Sequence, residues 1–113
     1  MGTLRTTESE ARYQVAIAAG LTKPLKDVDS LMEWKYWRLI PNEFPHSLIA
    51  KEHDLLIPIR VFPTLEEATM EEIVELMYIL FNDLVNNYDS VKLNFPRQQT
   101  VRNHLHFHLM VYL

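Results

Sequence analysis

The stretch His104-Leu105-His106-Phe107-His108-Leu109-Met110 decides how the rest of the chain is read. Histidine and apolar residues alternate strictly, which is the period of a β-strand. Successive side chains of a strand point to opposite faces, so the three imidazoles form one row at roughly 7 Å spacing. Leu105, Phe107 and Leu109 then enter a core on the other face. Three imidazoles on a rigid strand can divide labour over a phosphate. A neutral ring attacks phosphorus, and a protonated one donates to the leaving group or steadies the oxyanion.

Working outward, His104 to Leu113 reads as a final strand, preceded by a polar loop from Pro96 to Asn103 and an alternating strand from Ser90 to Phe95. Before these, Thr69-Met70-Glu71-Glu72 is a capping box, and Ile73, Val74, Met77, Leu80, Phe81, Leu84 and Val85 follow at helical spacing. Met70, Met77 and Phe81 are expected in the core. His53 to Val61 reads as a buried strand in which Pro58, lacking an N–H, marks an edge or bulge. Glu33 to Ile40, rich in Trp, Tyr and Ile, reads as another strand closed by Pro41, with Trp34 and Trp37 on opposite faces and a core place favoured for them. Thr7-Glu8-Ser9-Glu10 opens an N-terminal helix that ends at Gly20. Together these predict an α+β fold: an antiparallel β-sheet with one long helix packed on it, plus an N-terminal helix. Residues 1–33 are expected as a helical extension packed on a domain of residues 34–113.

Composition narrows the chemistry. At 113 residues the chain supports one core. With 48% hydrophobic and 23% charged residues it has the make-up of a folded globular domain. A formal net charge of −4 argues against an extended grip on nucleic acid, which relies on clustered Lys and Arg. There are no cysteines, so disulfides, thiolate metal sites and a Cys nucleophile are excluded. No apolar run approaches membrane-spanning length, and no signal core follows Met1, which predicts a cytoplasmic protein without a membrane partner.

The pattern His-φ-His-φ-His-φ-φ, with φ apolar, resembles the signature of the histidine-triad superfamily. Other segments are similar too: Leu39-Ile40-Pro41-Asn42-Glu43-Phe44-Pro45, the His53-Asp54-Leu55-Leu56-Ile57-Pro58 strand, and Gln99-Thr100-Val101 shortly before the triad. The resemblance spans about residues 34 to 113. It implies a HIT-like nucleotide-binding domain acting as a nucleotidyl hydrolase or transferase on phosphoramidate or phosphoanhydride conjugates, with no cofactor and no metal in the chemical step. By the same carry-over His106 is the nucleophile that forms a covalent nucleotidyl-imidazole, and His104 and His108 flank the phosphate. His53, Asn42, Gln99 and Thr100 take part in nucleotide binding, and the chain forms a homodimer.

The residues by themselves leave other readings open. Two imidazoles of a His-x-His row can hold Zn2+ or Cu2+, and a row of His can be an incidental polar face. Asn42 beside Pro41 is by default a turn former, Thr100 is read the same way, and His53 by itself is a hydrogen-bonded structural residue. His46 receives no role. A non-catalytic nucleotide-binding or protein-interaction module on the same fold is the alternative to an enzyme.

Overall fold

The computed structural model describes residues 4–18, 23–98 and 101–113. Five strands form one antiparallel sheet: β1 (Met32–Glu33), β2 (Trp37–Pro41), β3 (Ala50–Pro58), β4 (Ser90–Lys92) and β5 (Phe107–Tyr112). Their order across the sheet is β1-β2-β3-β5-β4. Helix α1 (Thr7–Ala18) precedes the sheet, and α2 (Met70–Tyr78), continued by a π-helical turn at Ile79–Asp83, crosses between β3 and β4. No described helix is long and apolar enough to cross a membrane. This is the expected α+β architecture.

The two faces of the sheet differ in character. On one, Trp37 and Leu39 of β2, Leu56 of β3, and Leu105, Phe107 and Leu109 pack against Leu76, Ile79, Leu80 and Leu84 of the helix to form the main core. On the other, Ile40, Leu55 and Ile57 cluster with Val28. Register extends this second face along the sheet: His53 pairs with Met110, Leu55 with His108, and Lys92 with His108. Directly paired residues of antiparallel strands share a face. The alternation of the histidine segment therefore places its imidazoles on the face away from α2, as the sequence predicts.

Several boundaries move, each for a local reason. The segment from Glu33 to Ile40 is not one strand: the Trp34 N–H donates to the Trp37 carbonyl, making a tight turn between β1 and β2. Both tryptophans then serve the same core, Trp37 fully buried and Trp34 half-buried with Nε1 donating to Asp83. The strand expected at His53 to Val61 runs from Ala50 to Pro58, since Ala50 and Glu52 pair with Tyr112 and Val111 across a bulge. The expected strand from Ser90 ends at Lys92, and β5 begins at Phe107 rather than His104. The β3–β5 ladder stops at Leu56 and Phe107, two residues short of Pro58, which has no N–H to offer. Helix α1 is capped by Thr6, whose Oγ1 accepts the Ser9 N–H; its predicted end at Gly20 lies outside the described residues.

The largest correction concerns α2. Met70, Met77 and Phe81, expected in the core, are 71%, 44% and 67% exposed. Apolar residues occupy two sides of this helix, so period alone does not select the buried one. The capping box selects it: Thr69 Oγ1 accepts the Glu72 N–H, and Glu72 Oε1 accepts both the Thr69 N–H and a bond from Arg60 Nη2. The Trp37 indole N–H donates to the Glu72 carbonyl, tying that side of the helix to β2. Glu72 thus points inward, and Leu76, Ile79 and Leu80 follow it into the core one and two turns later.

Leu76→Ala is expected to cost roughly 2–5 kcal/mol through the cavity it opens, and Thr69→Ala about 1 kcal/mol through loss of the cap. Urea unfolding checks both, and a Leu76→Ala midpoint equal to the native one would contradict this packing.

Candidate active site

The pocket, about 1020 Å3 in volume, lies on the sheet face opposite α2 and is lined by His46, His104, His106 and His108, with Asn42, Lys92 and Asn94 at its sides. Its floor is rigid because each histidine of the row alternates with a side chain locked in the core. All three are nearly inaccessible to solvent.

Each ring is oriented by a different partner. His104 Nε2 lies 2.8 Å from the Pro58 carbonyl, and His106 Nδ1 lies 3.0 Å from the carbonyl of His104. A carbonyl only accepts, so both nitrogens carry hydrogen. The neutral His106 ring consequently holds its lone pair on Nε2, the nitrogen a nucleophile needs. Where the strand ladder ends, freed carbonyls thus set the tautomers of the first two histidines.

His108 is set by a longer chain. Asn42 Oδ1 accepts the Phe44 N–H, and His46 O accepts the Ile49 and Ala50 N–H groups. The loop so tightened brings the His46 backbone N–H to His53 Nδ1 at 2.9 Å. With Nδ1 accepting, the neutral His53 ring carries its proton on Nε2 and donates to His108 Nδ1 at 2.8 Å. His108 then keeps its own proton on Nε2; the neighbouring side-chain atom, Asn94 Nδ2 at 3.4 Å, is also a donor and does not accept it. The His46 ring stacks on His108, with centroids 5.2 Å apart, and meets His53 edge-on at 4.5 Å.

The structure therefore brings His46 into the site, a residue to which sequence reasoning gave no role. No motif marks it; the only signal is its place in a Pro-containing loop between two strands. His53 lies beside the third histidine of the row. Asn42 forms the turn described above, and its Nδ2 stands 3.4 Å from both ring nitrogens of His53. Gln99 and Thr100 lie outside the described residues.

Ring nitrogens of His46, His53 and His108 fall within 4.8 Å of one another, a spread that one zinc ion can bridge. The hydrogen bonds favour a different use. His53 Nδ1 is occupied by a backbone N–H, so its Nε2 carries a proton and presents no lone pair to a metal.

Burial governs the electrostatics. His46 is pushed down from 6.5 to about 4 by desolvation, with Lys92 and Arg5 adding to the shift. His53 is pushed down to about 3 by desolvation, then by His46, Lys92, Arg5 and His106. His108 is lowered by desolvation and then by its three neighbouring imidazoles and Lys92. His104 and His106 are lowered by burial against the opposing pull of their carbonyl partners. All five rings are neutral at neutral pH.

Segment 4–13 closes one side of the pocket. Arg5 donates from Nε to the Phe44 carbonyl and lies over the Tyr13 ring, which packs on Phe44 at 4.8 Å.

No protein-family model and no curated protein matches the chain. Among solved structures it is similar to a histidine triad protein from Clostridium difficile, at 19% identity and a TM-score of 0.52 over 89% of each chain. That likeness shows a histidine-triad-like fold, as the resemblance of the His104–His108 segment implied.

The depressed histidines make stability pH-dependent. As pH falls below 6.5, the unfolded chain binds protons that the folded chain refuses until about 4 and lower, so the stability they contribute is complete above about pH 6.5 and declines below it. The urea midpoint is expected to drop between about pH 7.5 and about pH 5, and less steeply in His53→Gln. An unchanged native midpoint across that interval would contradict the buried neutral rings.

Proposed function

We propose that the chain is a nucleotidyl hydrolase or transferase in which His106 is the nucleophile. The observation that supports this most directly is the His106 Nδ1 bond to the His104 carbonyl, which leaves the lone pair on Nε2 of a neutral ring lining the pocket. Neighbouring His108, its ring centroid 5.1 Å away, supplies an Nε2–H for the oxygen that becomes negative as the phosphorus is attacked. His104, engaged with Pro58, holds the carbonyl that orients His106. Attack would give a nucleotidyl-imidazole that water or another acceptor releases. The fold shared with a histidine triad protein supports nucleotide as the ligand, with Asn42, Gln99, Thr100 and His53 as candidates for binding it.

Intact-protein mass spectrometry after brief mixing with adenosine phosphoramidates and dinucleoside polyphosphates tests this reading. A nucleotide-sized adduct or steady turnover is expected with the native chain, and neither with His106→Ala. Tight nucleotide binding without adduct or product in the native chain would make the protein a non-catalytic module instead.

We also propose a homodimer, supported by the exposed stripe of Met70, Val74, Tyr78 and Phe81 along α2. Phe81→Glu is expected to shift sedimentation from dimer to monomer, and a native chain that sediments as a monomer would overturn the assignment.

A further inference from the structure

The proton inventory around His108 constrains what can depart from the phosphorus. Its Nδ1 accepts from His53, so the single proton of its neutral ring sits on Nε2. That N–H can donate a hydrogen bond, but transferring it outright would leave an imidazolate. Burial and the adjoining rings of His106, His53 and His46 oppose the alternative, an imidazolium with a proton to spare. Leaving groups respond differently to this. An amine departs only if it gains a proton, whereas a phosphate departs as an anion and needs stabilised charge rather than an acid.

The surroundings of His108 suit the second case. Lys92 stands opposite it in register on β4, on the same face of the sheet, and lines the same pocket. The lysine is half-buried, has no carboxylate partner among the described residues, and has its pKa lowered by that burial. On the other side, the His46 ring is stacked on His108, and its buried Nδ1 has no hydrogen-bond partner. A half-buried cation without a counter-charge, in the wall of a pocket that the His46 ring also lines, matches an anionic ligand that Lys92 and the accessible side of that ring can meet.

We propose that Lys92 and His46 form a subsite for a phosphate-bearing leaving group beside His108, so that the chain cleaves nucleotidyl phosphoanhydrides in preference to phosphoramidates of amines. This rests on His106 being the nucleophile. The His106 Nε2 lone pair forms the N–P bond as the bond from phosphorus to the bridging oxygen breaks. The electron pair stays on that oxygen, which leaves as part of an anionic phosphate held by the His108 N–H and the Lys92 ammonium. Water then attacks the same phosphorus, the N–P bond breaks with its pair returning to Nε2, and the water proton passes to solvent.

The test compares kcat/KM for diadenosine triphosphate and for adenosine 5′-phosphoramidate in the native chain, Lys92→Met, Lys92→Arg and His46→Phe. The native chain is expected to prefer the anhydride. Lys92→Met should lower kcat/KM for the anhydride roughly ten- to a hundredfold more than for the phosphoramidate. Lys92→Arg should restore most of that selectivity, and His46→Phe, which keeps the stacking, should lose part of it. A native preference for the phosphoramidate, or equal losses on both substrates in Lys92→Met, overturns the subsite while His106-dependent turnover still stands. Turnover of neither substrate by the native chain overturns the hydrolase reading and the subsite together.

Discussion

Burial of Leu105, Phe107 and Leu109 against the α2 side of the sheet is the constraint on which the rest of the molecule depends. Those three side chains settle the phase of the last strand, and a strand has only two phases. A slip of one residue would put three imidazoles in the main core and three large apolar groups into the pocket. The hydrophobic cost of that exchange holds the three imidazoles on the pocket side.

A second layer of order comes from where the strand ladder ends. Pro58 pairs with Trp37 of β2 but not with β5, and on the β5 side the carbonyls of Pro58 and His104 receive imidazole N–H groups instead. The same economy recurs in the loop after β2, where a backbone N–H rather than a carboxylate sets the tautomer of His53 and through it that of His108. His53, His104, His106 and His108 are thereby oriented by neutral partners. Of the cationic side chains that line the pocket, Arg5 is paired with Glu10 at 3.3 Å, whereas Lys92 has no carboxylate partner among the described residues.

Helix α2 has to satisfy demands on two sides. Its inward side is chosen by Glu72, which closes the cap with Thr69 and takes Arg60, and this carboxylate is buried where a simple apolar stripe would place a leucine. Its outward side carries Met70, Val74 and Phe81 in solvent. An amphipathic pattern with two apolar sides is the sequence trace of a helix that faces a core and has a second apolar surface besides.

The sequence by itself determined the fold class, the alternation that sets the triad apart from the core, and the strand carrying His53. These follow from period-two patterning and local turn chemistry, which act between neighbours along the chain. Tertiary structure alone decided which side of α2 is buried, that Trp34 and Trp37 share one core, and that His46 stacks on His108. Those outcomes depend on contacts between residues far apart in sequence: Trp37 with Glu72, Trp34 with Asp83, His46 with His108. Local periodicity carries no information about them, because each requires the chain to have closed on itself before the pairing exists.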